Sequence, residues 1–123
     1  MRELLSESAM FIAELVRTKE VSSREVVQIH LEQIDKVNPT LNAVVQLAAD
    51  RAIREAIQAD KILKNGSNLG PLHGVPMTIK DSLDTEGVIS TGGTKGRRDY
   101  LPARDATVVS RLRRAGAILL GKT

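Results

Sequence analysis

Ala9, Ile12, Ala13, Leu15 and Val16 recur at helical spacing, and the stripe stops near Arg17-Thr18-Lys19, which predicts a first helix. Ser22-Ser23-Arg24-Glu25 then has the pattern of a capping box, in which the serine oxygen takes a backbone N–H and Glu25 reaches back. Val27, Leu31 and Ile34 follow as one apolar face, so a second helix is expected to run to about Val37. Asn38-Pro39 is expected to break it, because proline disfavours helix in the residue before it, and Leu41-Asn42-Ala43-Val44-Val45 reads as briefly extended. Ala49, Ala52, Ile53, Ala56 and Ile57 predict a third helix. Asn65-Gly66-Ser67-Asn68 marks its stop and a linker, since glycine and asparagine tolerate positive φ.

From Gly70 the texture changes to glycine, proline and short β-prone pieces. In Gly74-Val75-Pro76-Met77-Thr78-Ile79-Lys80-Asp81, alternation places Val75, Met77 and Ile79 on one buried face and Pro76, Thr78 and Lys80 on the other. Asp105 is expected to cap a helix that turns Val108, Val109 and Leu112 inward and closes at Gly116. Ala117-Ile118-Leu119-Leu120 is a fully buried strand by its unbroken apolar run. Strand, long loop, helix and strand make a βαβ-like unit with two parallel strands. The fold class is therefore α/β, with a helical N-terminal region over 1–66 and the start of an α/β core over 67–123.

Composition changes this picture in one respect. Phe11 and Tyr100 are the aromatic residues of a chain of 123, so the core rests on Leu, Ile, Val and Ala and is expected to be completed by residues outside the sequence. The remainder of a longer chain, a second chain or a homo-oligomer would do so. A net charge of +3, from 18 basic and 15 acidic residues, comes without aromatic interleaving or a long basic run, which argues against direct nucleic-acid binding. The absence of cysteine fits a reducing cytoplasm, and His30 and His73 are too far apart in sequence to suggest a metal site. No run of about eighteen apolar residues suggests a membrane span.

Lys80 is the candidate catalytic residue. An ammonium delivered to a sheet edge beside apolar neighbours loses hydration, which lowers its pKa and suits it to act as a general base. By contrast, Gly116-Ala117-Ile118-Leu119-Leu120-Gly121-Lys122-Thr123 satisfies the phosphate-loop pattern and is rejected as one. Four apolar residues fill its middle, a helix precedes it, and no helix follows to lend its positive end, so no nucleotide cofactor is expected. Thr91-Gly92-Gly93-Thr94 reads as a turn between sheet and helix.

Four spaced blocks carry a resemblance: Leu72 to Asp81 (LHGVPMTIKD), Thr91-Gly92-Gly93-Thr94, Asp105-Ala106-Thr107-Val108-Val109, and Gly116 to Thr123. Together with Val21-Ser22-Ser23, Asn38-Pro39, Leu41-Asn42-Ala43 and Asp60, they resemble the amidase signature family over essentially the whole chain. The resemblance implies that Lys80 belongs to a Ser-cisSer-Lys triad, relaying protons through a middle serine to a nucleophilic serine that attacks an amide carbonyl. That logic agrees with the chemistry of an activated serine. The stretch carrying both triad serines and the oxyanion-hole donors is expected beyond Thr123. Ser82 and Ser90 are not assigned to the triad, because they lie on the wrong side of the Asp105 helix.

The expected function is thus the N-terminal part of an amidase that hydrolyses a small-molecule carboxylic amide, inactive as these residues alone. Two alternatives stand beside it. One is the glutamine-hydrolysing subunit of a tRNA-dependent amidotransferase; the other is a non-catalytic fragment that docks on a partner chain.

Overall fold

The computed structural model describes residues 2–66 and 69–123, so Ser67 and Asn68 of the expected linker lie outside the described residues. A 3-10 turn over Arg2–Ser6 leads into α1 (Ala9–Arg17), α2 (Ser23–Leu41), β1 (Gln46–Leu47), α3 (Ala49–Lys64), β2 (Pro76–Ile79), α4 (Thr107–Arg114) and β3 (Ile118–Lys122). The three strands form one mixed sheet in the order β1-β3-β2, with β1 antiparallel and β2 parallel to β3. The structure thus has the α/β fold and the parallel pair that the sequence predicts.

Local chemistry starts α2 as its sequence predicts. Ser22 Oγ accepts the Glu25 N–H at 3.1 Å, and the Glu25 carboxylate accepts the Ser22 N–H at 2.8 Å. A second carboxylate, from α3, completes this helix end: Asp60 accepts the N–H groups of Ser23 and Arg24 at 2.7 and 3.1 Å. Negative charge there complements the helix dipole and ties α3 to α2.

The far end of α2 corrects the sequence reading. The helix continues through Pro39 to Leu41, where Asn42 adopts a left-handed conformation (φ 48°) and its N–H bonds Asn38 O at 2.7 Å. Pro39 lacks a donor but keeps helical φ, and it lies in the last turn, so the local rule against helix before proline is overridden. Asn38 then grips the outgoing chain, its amide donating to Val44 O (3.0 Å) and accepting the Val44 N–H (2.9 Å). Extension accordingly begins at Gln46, later than the predicted Leu41.

Strand β3 is the axis of the core. Ile118 and Leu120 pack with Val27, Ala52, Ala56 and Ala59 of α2 and α3, while Leu119 packs with Ile79, Val88 and Val109. Val75 and Ile79, placed on one face by alternation, join different clusters: Val75 meets Ile12, Val16 and Val26 instead. Val75 precedes the first residue of β2, and the register shifts between Met77 and Thr78. A side chain on Gly121 would collide with the Gln46 carbonyl, which explains glycine where β1 crosses closest.

The helix before β3 is as expected in position but not in its cap. Asp105 does not cap α4; it accepts the Glu86 N–H (2.7 Å) and pairs with Arg113 (3.0 Å), which also reaches Glu55 at 3.3 Å. Val109 is buried and Leu112 half-buried, whereas Val108 is exposed. Among the described residues no helix is long and apolar enough to cross a membrane.

Candidate functional site

Parallel strands β2 and β3 end side by side, and this C-terminal edge is where an open α/β sheet offers its chemistry. Lys80 follows the last residue of β2. On either side of it the backbone is clamped to Thr123: Ile79 O accepts the Thr123 N–H at 3.0 Å, and the Asp81 N–H donates to Thr123 O at 2.8 Å. The Lys80 carbonyl accepts the Leu83 N–H at 3.0 Å, closing a turn immediately after the strand.

The side chain of Lys80 is exposed, which corrects the expectation of apolar neighbours around its amine. The reason is the sheet order. β2 is an outer strand, and Thr78 and Lys80 lie on a face left open among the described residues.

The lysine that is dry lies one strand inward. Lys122 ends the central strand, has no exposed surface, and donates from Nζ to Leu83 O at 2.7 Å and to Ser90 Oγ at 2.8 Å. Burial pushes its amine below the ordinary lysine value, and the negative charges of Asp81 and Asp84 oppose that fall. Its own sequence carries a signal, since the buried run Ala117 to Leu120 continues in register through Gly121 to Lys122. With the phosphate-loop pattern rejected, the sequence reading assigns this lysine no role. The rejection itself agrees with the structure, where residues 118–122 form a strand rather than a loop.

Asp81 is the anionic counterpart. It is buried, its carboxylate accepting the Thr91 N–H at 3.0 Å and the Thr91 hydroxyl. Burial alone would raise its pKa. The Thr91 hydroxyl and N–H, the charge of Lys122 and the Gly93 N–H outweigh that and hold the carboxyl below the usual aspartate range. Thr91-Gly92-Gly93-Thr94 is a turn, as expected, with Gly92 and Gly93 at positive φ. Asp84 secures the loop farther out, accepting from Arg97 (3.2 Å) and from the Tyr100 hydroxyl (3.1 Å).

Ser90 and Lys122 look superficially like a serine activated by an amine. Ser90 Oγ is instead fully occupied: it accepts from Lys122 and the Thr85 N–H (3.3 Å), donates to Val88 O (3.0 Å), and is buried. A nucleophile needs an open path to a carbonyl. Ser82 is exposed and makes no side-chain hydrogen bond among the described residues. His30 and His73 each bond a helix carbonyl, Val26 O at 2.8 Å and Ala59 O at 2.9 Å.

Comparison with known proteins puts these positions in a family frame. The family model described as amidase matches residues 25–123. The chain is 40% identical over 123 residues to a glutamyl-tRNA(Gln) amidotransferase subunit from Acidothermus cellulolyticus, covering all of this chain and 24% of that protein. It is 46% identical to fatty-acid amide hydrolase 2-B of Danio rerio, over 98% of this chain and 24% of that one. The crystal structure of peptide amidase from Stenotrophomonas maltophilia superposes with a TM-score of 0.89 at 32% identity, over 96% of this chain and 24% of that one. The chain thus spans about a quarter of the length of the relatives it matches.

Proposed function

We propose that this chain, which belongs to the amidase family, is the first part of an amide hydrolase in which Lys80 acts as the base of a Ser-cisSer-Lys triad. The observation that carries the reading is the placement of Lys80: an exposed amine at the C-terminal edge of a parallel pair, with its backbone clamped on both sides to the neighbouring strand. Both triad serines and the oxyanion donors would come from the three quarters of the relatives' length that this chain does not span. Until such a segment packs over β2, most of the transition-state stabilisation is missing, so these residues alone hydrolyse nothing.

In the assembled site the Lys80 amine takes a proton from the middle serine as that serine takes one from the nucleophile. The alkoxide then attacks the amide carbonyl. The proton returns by the same route to the departing nitrogen, leaving an acyl-serine that water hydrolyses to the acid. Exposed apolar side chains on the same body, including Val45 and Leu47 of the outer edge and Leu101, support the expectation that further chain completes the core. The division into a helical region (1–66) and an α/β beginning (67–123), and a cytoplasmic location, belong to this reading.

Relatives that act on simple amides and those that serve amidotransferase both match this segment, including an indoleacetamide hydrolase from Bradyrhizobium diazoefficiens. We favour a general amidase, because Asp81-Ser82-Leu83 and the Thr91 to Arg98 stretch read more like one. The test is to incubate the full-length protein carrying this chain with indole-3-acetamide, a long-chain fatty amide, an acylanilide and glutamine, reading released ammonia or amine. Hydrolysis of a simple amide that disappears in Lys80→Ala is expected. Activity on glutamine alone would favour the amidotransferase reading, and hydrolysis undiminished in Lys80→Ala would reject the role of Lys80.

A further inference from the structure

We infer that Lys122 is a positioning residue for Lys80: a buried brace that joins the two limbs of the loop over residues 81–91 and thereby fixes the backbone from which Lys80 leaves. The inference rests on the reading of Lys80 given above. Two chains of contacts carry it. On the first limb, the Lys80 carbonyl holds the Leu83 N–H at 3.0 Å, and the Leu83 carbonyl in turn accepts from Lys122 Nζ at 2.7 Å. On the second, Lys122 holds Ser90 Oγ at 2.8 Å, and the next residue, Thr91, is bonded through N–H and hydroxyl to the Asp81 carboxylate. Gly92 N–H closes the circuit on Asp81 O at 3.1 Å.

A methionine of similar length would fill the same buried volume, so packing does not explain an amine here. A buried ammonium is disfavoured unless its protons are matched, and this one meets acceptors from both limbs with Asp81 and Asp84 supplying negative charge nearby. Asp81 adjoins Lys80 in sequence, so the loop cannot shift at either limb without moving the peptide that carries the candidate base. Lys122 touches no substrate and acts through this backbone.

The test is Lys122→Met in the full-length protein, assayed on whichever amide of the panel the wild type hydrolyses fastest. A displaced base lowers kcat by about a hundredfold, since small misplacements carry that cost, with KM within about threefold of the wild type. Amide hydrogen exchange at Leu83 and Gly92 is expected to quicken by about tenfold or more while α2 and α3 keep their protection. A kcat within about twofold of the wild type, or unchanged exchange at Leu83 and Gly92, would overturn the inference. If Lys122→Met yields no folded protein, Ser90→Ala, which removes one acceptor, carries the test. A several-fold loss in kcat at unchanged KM with faster exchange at Leu83 supports the brace, and wild-type values for both overturn it. Normal turnover in Lys80→Ala would remove the catalytic reading itself. Loss in Lys80→Ala beside normal turnover in Lys122→Met would remove only the brace.

Discussion

Lys80 and Lys122 sit at the ends of two adjacent parallel strands, Ile79 being the register partner of Lys122, yet one amine is exposed and the other has no exposed surface. Nothing in the residues themselves distinguishes them. The difference comes from sheet order: the strand carrying Lys122 is central and covered on both faces, and the one carrying Lys80 is outermost. An amine on the outer strand is open to a reactant, while one in the centre must satisfy its charge with fixed acceptors. Two lysines of one motif-rich segment thus divide into chemistry and support.

The largest break expected in this contrast is Lys80→Arg in the full-length protein. Arginine stays protonated and cannot take up a proton from the middle serine, so turnover falls by about two to four orders of magnitude. Among the described residues the exposed Lys80 side chain makes no hydrogen bond or ion pair that the substitution would break, so the fold of this segment is expected to tolerate it. Next in size is Gly121→Ala on the central strand. Its methyl group meets the Gln46 carbonyl and separates β1 from β3, at a cost of about 1–3 kcal/mol in chemical denaturation.

These two positions also show what is legible in the sequence. The exits of α1 and α3, the capping box at Ser22, the buried run into β3 and the parallel pairing all follow from local pattern, and the structure agrees. The end of α2 does not follow, because Asn38 bonds to Val44 six residues on and Asn42 supplies the stop, contacts that outweigh the local effect of Pro39. Asp105 has the position of a cap but is taken by Glu86 and Arg113, partners 19 and 8 residues away. The burial of the two lysines is the least legible feature. Alternation tells which face a side chain takes, but the order β1-β3-β2 decides which strand is covered.

A smaller effect sharpens the contrast through pH. The Lys122 pKa is lowered in the fold, so between that value and the ordinary lysine value the unfolded chain binds more protons and stability rises with pH. Asp81 is also lowered, so its contribution is complete above the ordinary aspartate value and is lost as pH falls through the folded one. Urea midpoints measured across pH should therefore rise on the alkaline side and fall in acid. Lys122→Met should flatten the alkaline rise and Asp81→Asn should reduce the acid loss. The smallest effect belongs to Ser82→Ala, expected to leave turnover unchanged and stability within about 0.5 kcal/mol, since this hydroxyl is exposed and is not assigned to the triad.

The most direct measurement sets Lys80→Ala beside Lys122→Met in the full-length protein and records turnover and thermal midpoint for each. The division of roles predicts that Lys80→Ala abolishes amide hydrolysis at an unchanged midpoint, whereas Lys122→Met lowers the midpoint and slows turnover together. Near-normal hydrolysis by folded Lys80→Ala protein would contradict it.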